Sequence, residues 1–577
     1  QGTLRLDASA TGPLPSDAAS LKALAVNGTG QLSGLGVDYE RQPLLRRLAA
    51  DLQFSGTTVA AQGIDGQLLG RPLSGAVTVR DLPGTPQVDG QLAGSADLAQ
   101  VMALTSDEPS SDAVQGIADY DVRFVGPLQD PDALRPTGRV RLSKMQVPYE
   151  SFRHPLEISD ATLQLTGTGL SADPFSVRSG PQTVTLQATM RNLFPISKGL
   201  AETDPTLSAN VQLTADRLDI ETLYPEPEAT DVHYSDLFAA HLAGGRVQDQ
   251  SPEALAETLY GDIELPAYAV DGRVEIGTLL NNPQRFEDLS CDFRLNDRRL
   301  VLQNISANTY EGTLAGTLTL DQRGGTSSAG IPPRGTVQAA SFGPRGSDAS
   351  APQSSLTYDL QLQNVETETV LRDWTSLGRL VTGTLSFNAS GDSRLTRGLL
   401  PETTALSAIG ESIVVNGGLG LDLGPAAALA KTLGLPEASL KKFDRLGGPF
   451  VIKEGWLQVK TWDFQTDRFE GTMQGGLGLG GGLDLEMTLD LPLSVLQNSK
   501  ILSRVGEGEG QLGAAVKKLL GVTDDETVPV TVRFEGTMRD PTVQVLNRDA
   551  VKSRIEALAK DAGLNLLRDL FGGGGEG

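Results

Sequence analysis

From Leu477 to Leu493 the chain alternates strictly. Leu477, Leu479, Leu483, Leu485, Met487, Leu489 and Leu491 share one parity, and the other parity carries Gly, Asp, Glu and Thr. Successive side chains of a strand point to opposite faces, so this spacing predicts strand with one apolar and one water-compatible face. A helix would scatter the same leucines around its axis. The Gly480-Gly481-Gly482 triplet predicts a hairpin turn within the run.

The alternation recurs. Leu314, Leu318 and Leu320 oppose threonines, and Leu356, Tyr358, Leu360 and Leu362 oppose Thr, Asp and Gln. Val528, Val530, Val532 and Phe534 repeat it near the C-terminus. These rows predict a mainly β protein: an elongated, twisted, mostly antiparallel sheet of repeated units curled into a groove (a β-taco), with a few flanking helices. Exposed apolar area costs roughly 25 cal/mol per Å², so the apolar rows need a cover.

Punctuation divides the chain. Residues 1–105 read as a first block of groove repeats, with a short helix from Arg41 to Ala50. A Ser/Asp/Pro loop leads to a second block at 114–220. Residues 221–262 are a helical and loop insertion, with helices at Asp236–Ala243 and Pro252–Leu259 and Ser251 as an N-cap. A further β unit spans 263–323, and 324–354 is a Gly/Ser/Pro-rich loop. Residues 355–547 form the C-terminal region. It has helices at Thr369–Leu377, Pro425–Leu433, Ala438–Arg445 and near 511–520. Val551, Ile555 and Leu558 open an amphipathic helix in the segment 548–577, read as packing over the end of the sheet before a disordered tail.

Composition sharpens this picture. The 577 residues include 66 glycines, but aromatics are only 5%. That suits a broad repetitive sheet better than a compact enzyme core. A formal net charge of −24 disfavours nucleic acid as a partner. The single cysteine, Cys291, excludes an internal disulfide and reads as a small buried hydrophobe. No run of about 18 apolar residues predicts a membrane helix. Gln1 already stands next to a strand-like segment, so the chain reads as a fragment or processed form whose anchor or signal lies upstream.

The chemistry-bearing residues are sparse. His233 and His241 lie near Asp231 and Asp236, but their spacing points to surface or capping histidines rather than a zinc site. The glycines at 478–482 lack the following helix of a dinucleotide loop. No catalytic residue, metal or cofactor is expected, and the chain reads as a non-enzyme.

Three stretches resemble the AsmA family, which includes the TamB and YhdP types. Leu302 to Gly316 is similar to its strand–bulge–strand unit. Phe450 to Leu491, with the Glu454-Gly455 turn, resembles its C-terminal segment, and Val528 to Pro541 its closing strand. The likeness covers roughly 355–547, and the upstream blocks share its style. It implies a Gram-negative periplasmic protein anchored in the inner membrane. It also implies a bridge-like lipid transfer role, moving phospholipid between the membranes in support of outer-membrane biogenesis. The groove lining is then Leu314, Leu318, Leu320, Leu356, Tyr358, Leu360, Leu362 and the 477–491 row, with phospholipid or another acyl-chain lipid as partner. The alternative is an assembly or translocation factor that binds client strands of outer-membrane proteins.

Overall fold

The computed structural model describes residues 2–12, 25–39, 42–82, 84–105, 114–130, 133–149, 152–193, 207–223, 232–260, 265, 268–281, 283–323, 354–374, 381–419, 424–433, 442–496, 526–538, 540–558 and 560. The protein is mainly β, 68% strand and 14% helix, in one open mixed sheet of 25 strands that does not close into a barrel.

The first twelve strands are β1 (Thr3–Thr11), β2 (Ala25–Tyr39), β3 (Gln42–Gly56), β4 (Thr58–Leu68), β5 (Arg71–Arg80), β6 (Gln87–Asp97), β7 (Gln115–Pro127), β8 (Arg135–Val147), β9 (Leu156–Thr166), β10 (Leu170–Ser179), β11 (Gln182–Arg191) and β12 (Ser208–Asp219). Each pairs antiparallel with the next, as from β5 to β6 and from β8 to β9. A short helix, α1 (Leu98–Thr105), follows β6. The second half holds β13 (Ala269–Asn281), β14 (Gln284–Asn296), β15 (Arg299–Thr309), β16 (Gly312–Asp321), β17 (Ser355–Glu366), β18 (Val381–Arg394), β19 (Ser407–Leu419), β20 (Lys442–Lys453), β21 (Trp456–Gln465), β22 (Glu470–Gly478), β23 (Gly482–Pro492), β24 (Thr527–Thr537) and β25 (Pro541–Val545). They too meander antiparallel.

One joint differs. β12 and β13 are parallel, Val211 opposite Gly272 and Leu213 opposite Val274. Parallel neighbours need a connection that returns along the full strand length. Here it is the expected helical insertion, carrying α2 (Ile220–Leu223), α3 (Tyr234–Leu242) and α4 (Pro252–Tyr260). The Ser251 hydroxyl accepts a hydrogen bond from the Ala254 N–H at 3.2 Å, as its N-cap position predicts.

Further helices are α5 (Thr367–Trp374) after β17, α6 (Gly424–Leu433) before β20, α7 (Leu493–Leu496) after β23, and α8, residues 548–558. Two expected helices are strands instead. Arg41–Ala50 lies largely in β3, where a bulge gives Arg47 a φ of 55°. The extra residue puts Leu45 and Leu48, three apart, on one face, opposite Leu68 and Leu35. That spacing mimics a helix. Of the helix expected at Ala438–Arg445, residues 438–441 lie outside the described residues, and Lys442–Arg445 begins β20, paired with β19. The loop at 324–354, apart from Ser354, and the helix expected at 511–520 fall outside the described residues, as does most of α8 as first expected.

The Leu302–Gly316 unit is strand, bulge and strand as read. Asn304 has a φ of 53°, and the register shifts between Leu302 and Ile305. The Gly480–Gly482 turn joins β22 to β23, with Leu477 opposite Leu483.

Candidate functional site

The pairing registers assemble one apolar face. Starting on β4, the row runs Gly66, Leu73, Gly94, Tyr120, Val140, Leu163, Ala172, Ala188, Val211. It crosses the parallel joint through Gly272 to Phe293, Leu302, Leu318 and Tyr358. It continues through Gly391, Ala408, Ile452, Leu457 and Leu477 to Leu483 and Gly536 on β24. Paired residues share a face, so this is a single unbroken apolar row. The neighbouring row on the other face is polar, for example Ser171, Thr189, Asn210, Asp271 and Arg294. A one-residue slip would exchange the faces, and the bulges fall so that it does not occur.

Glycine and aromatic residues meet across strands on this face. The Phe124 ring lies over Gly90, where an added Cβ would come within 2.5 Å of Cζ. Phe293 covers Gly272, Tyr120 covers Gly94 and Phe443 covers Gly417 in the same way. The rings lie flat along the sheet because the opposing residue has no side chain. This gives the abundant glycine and scarce aromatics a role: they keep the apolar face low in relief.

The cover differs sharply along the row. From β1 to β16 the described residues contain no cluster of buried core side chains on the sheet. The buried apolar residues there are mostly alanines such as Ala118, Ala161 and Ala172, and the larger side chains are half-buried. Cys291 sits among them opposite Val274, half-buried, with burial pushing its thiol up. From β17 to β25 the same face is increasingly roofed, although Leu356, Tyr358 and Leu360 on β17 stay half-buried. Phe443, Phe464, Leu489, Leu491, Val528 and Val530 pack beneath Leu429 and Leu433 of α6, Leu493 and Leu496 of α7, and Val551 and Ile555 of α8. A second cluster stacks Phe387 on Phe450, ring centroids 5.5 Å apart.

The expected lining residues therefore divide. Leu314, Leu318, Leu320, Leu356, Tyr358, Leu360 and Leu362 are half-buried on the apolar face, Leu314 opposite Leu362 and Leu320 opposite Leu356. Tyr358 donates to the Ser407 carbonyl at 3.0 Å, and burial, then Asp392, pushes its hydroxyl pKa up to about 12. Leu477 and Leu485 are also half-buried, and Leu479 lies in the turn. Leu483, Met487, Leu489 and Leu491 are different: Leu489 and Leu491 are 0% exposed. These four are enclosed protein interior. Their expectation as lining is corrected: Met487, Leu489 and Leu491 belong to the cluster that α6, α7 and α8 cover, which strand alternation cannot reveal, and Leu483 is buried outside that cluster. The upstream lining missed by the leucine runs includes Leu92, Val122, Leu163, Leu186, Leu213 and Leu302. Its sequence signal is weaker, since glycine and alanine interrupt each strand.

The polar face carries cross-strand ion pairs: Arg123 with Asp89 at 3.0 Å, Arg141 with Asp160 at 2.7 Å and Arg294 with Asp271 at 2.7 Å. Hydrogen bonds from the Arg123 and Arg141 guanidinium groups hold Asp89 and Asp160 below the usual carboxylate range. Two open depressions, about 510 and 600 Å³, lie on this polar side around Asp7, Gln31 and Asp51 and around Thr185, Asp216 and Glu275. They follow local curvature near bulges and bring no reactive set together. Among the described residues no three His, Cys, Asp or Glu side chains group as metal ligands, and no helix is long and apolar enough to cross a membrane. His233 caps α3, its backbone N–H donating to Asp236 at 3.0 Å, and its ring lies 3.0 Å from Glu221. Comparison with protein-family models, curated proteins and solved structures finds no match.

Proposed function

We propose that this protein is a non-enzymatic conduit for acyl-chain lipid. Chains lie along the apolar face while headgroups stay in water. The observation that carries this reading is the unbroken apolar row, over which, from β1 to β15, the described residues form no cluster of buried core side chains. Each CH₂ taken from water onto such a face is worth roughly 0.8 kcal/mol, so a long chain can be held without a specific contact. The low relief set by the glycine–aromatic pairs suits passage better than storage. The AsmA-like motifs fit the same role. On that resemblance the protein works in the periplasm of a Gram-negative-type bacterium, anchored to the inner membrane, and carries phospholipid between the two membranes.

Mass spectrometry of lipid extracted from the gently purified protein tests this. Bound phospholipid or fatty acid is expected. Leu302→Asp and Leu360→Asp should reduce it, whereas Thr357→Asp on the opposite face should not. Lipid that is absent, or equally abundant in all variants, rejects the conduit.

One observation favours a second reading, strand capture during outer-membrane protein assembly. β1 pairs only with β2 among the described strands and is exposed along its whole length, with Leu6 56% exposed. Such an edge can accept another strand. Leu6→Pro would impair capture of client strands and spare lipid binding.

A further inference from the structure

The helical crossover between β12 and β13 does more than connect them. It must return from the strand ends at Asp219 to the opposite ends at Ala269. Its two helices pack on each other through Leu237, Leu255 and Ala256, and this small core is completed by Leu400, from the loop after β18. No sheet leucine belongs to that core or packs against it among the described residues.

The crossover is fastened at both ends of the strands. At one end Phe238 meets Trp374 edge-on, with centroids 5.7 Å apart, and the Trp374 indole N–H donates to the Tyr310 hydroxyl at 3.0 Å. Trp374 ends α5, whose Val370 packs with Val365 and Leu385 on the apolar side. At the other end the loop 395–401 folds back through a Leu395–Pro401 bridge. There the Tyr234 hydroxyl donates to the Leu399 carbonyl at 2.8 Å, and Arg397 reaches Glu257 at 3.0 Å. His241 is clasped between Glu253 and the Pro401 carbonyl, each at 2.7 Å. Gly398 touches the α4 backbone so closely that an added Cβ would lie 2.4 Å from the Ala256 carbonyl carbon. Beyond this latch, the Leu265 N–H donates to the Gln322 side chain at 2.7 Å, at the end of β16.

We propose that α3 and α4 form a strap across the apolar face at β16–β18, enclosing a passage floored by Leu318, Tyr358 and Leu360. The passage takes acyl chains lying along the row, and the latch at 395–401 opens it sideways. The cargo rests on the conduit reading, but the strap does not. The strap runs with the strands and so crosses the path from β1 towards β25. Anything moving along the row passes beneath it. The strap's core takes Leu400 from the latch but no sheet leucine among the described residues, so lifting it gives up that contact and leaves the sheet folded.

The reporter is Leu360→Cys in a Cys291→Ala background, reacted with cyclohexylmaleimide, with Leu186→Cys on β11 as a site away from the strap. Gly398→Val wedges the latch apart, and Tyr234→Phe with Arg397→Ala removes two of its polar contacts. Labelling at 360 should quicken about tenfold in either unlatched protein, the factor expected for losing one or two net hydrogen bonds, with labelling at 186 unchanged. An unchanged rate at 360 in both overturns the strap. If Gly398→Val raises both sites, the Tyr234/Arg397 variant decides. Dansyl-undecanoic acid supplies the cargo arm and should leave the unlatched proteins faster than the parent. If the parent does not bind it, the conduit reading fails while the labelling result still judges the strap.

Discussion

The sheet from β1 to β16 and the sheet from β17 to β25 are written in the same alternating code and continue one row, yet they end in opposite states. In the C-terminal part much of the apolar face is enclosed, Phe443 and Phe464 under α6, α7 and α8 and Phe450 in a neighbouring cluster, each only 2% exposed, while β17 still keeps half-buried leucines. In the upstream part the face keeps half-exposed leucines and valines, and the buried residues are chiefly alanines. A meandering sheet propagates pairing strand by strand, much as a repeat protein does, and one end must be finished with a cap. β25 is five residues long, begins with proline and lies beside α6. Those are features of a protected edge. The C-terminal region is therefore read as a folded cap, and the upstream sheet as the working surface.

The largest expected difference is in stability. Leu489→Ala should cost about 3 kcal/mol by denaturant unfolding, as for a fully buried leucine, while Leu186→Ala on the open face should cost less than about 1.5 kcal/mol. Equal losses would mean that the two regions are packed alike. Next, Ile555→Asp should lift α8 from the cap and create new binding of an apolar dye on β23 and β24. The upstream face should bind that dye already. A dye signal that stays flat would show that α8 is not the roof.

Much of this division was not legible from the residues. The strands were, because leucine alternates with small or polar residues over the runs at 314–320, 356–362 and 477–491. Their common face was legible too. What covers the face was not: Leu489 and Leu318 stand in indistinguishable patterns, and only helices many residues away decide that one is core and the other is half-exposed. Bulges misled at Arg41–Ala50, since one extra residue converts a two-residue spacing into three. The parallel joint also left no mark in either strand, as its cause is the crossover between them.

A smaller effect should come from relief. Gly90→Ala puts a Cβ against the Phe124 ring and must raise it from the face. Unfolding stability should fall by about 1 kcal/mol, as overpacking usually costs 1–3 kcal/mol, and the affinity for dansyl-undecanoic acid should drop severalfold. The matching change on the polar face, Gln91→Ala, should leave affinity unchanged.

The smallest effect is that of pH. Arg123, Arg141 and Arg323 hold Asp89, Asp160 and Asp321 below the usual carboxylate range. Groups with a lowered folded pKa stabilise above the unfolded value, about 3.9, and that contribution is lost as pH falls through the folded value. Stability should thus sag below about pH 4 through the polar face, only slightly because the pairs are exposed. Arg123→Gln should flatten that sag, with no change in acyl-probe affinity at neutral pH.

We infer that the upstream apolar face is open to acyl chains and that the enclosed C-terminal one is not. Photocrosslinking with a diazirine-bearing fatty acid, followed by peptide mapping, tests it most directly. Adducts should fall on apolar-face positions of β4–β18, such as Leu163, Leu186, Leu302 and Leu360, and spare Leu489 and Leu491. Adducts spread equally over both faces, or concentrated on β23 and β24, would contradict it.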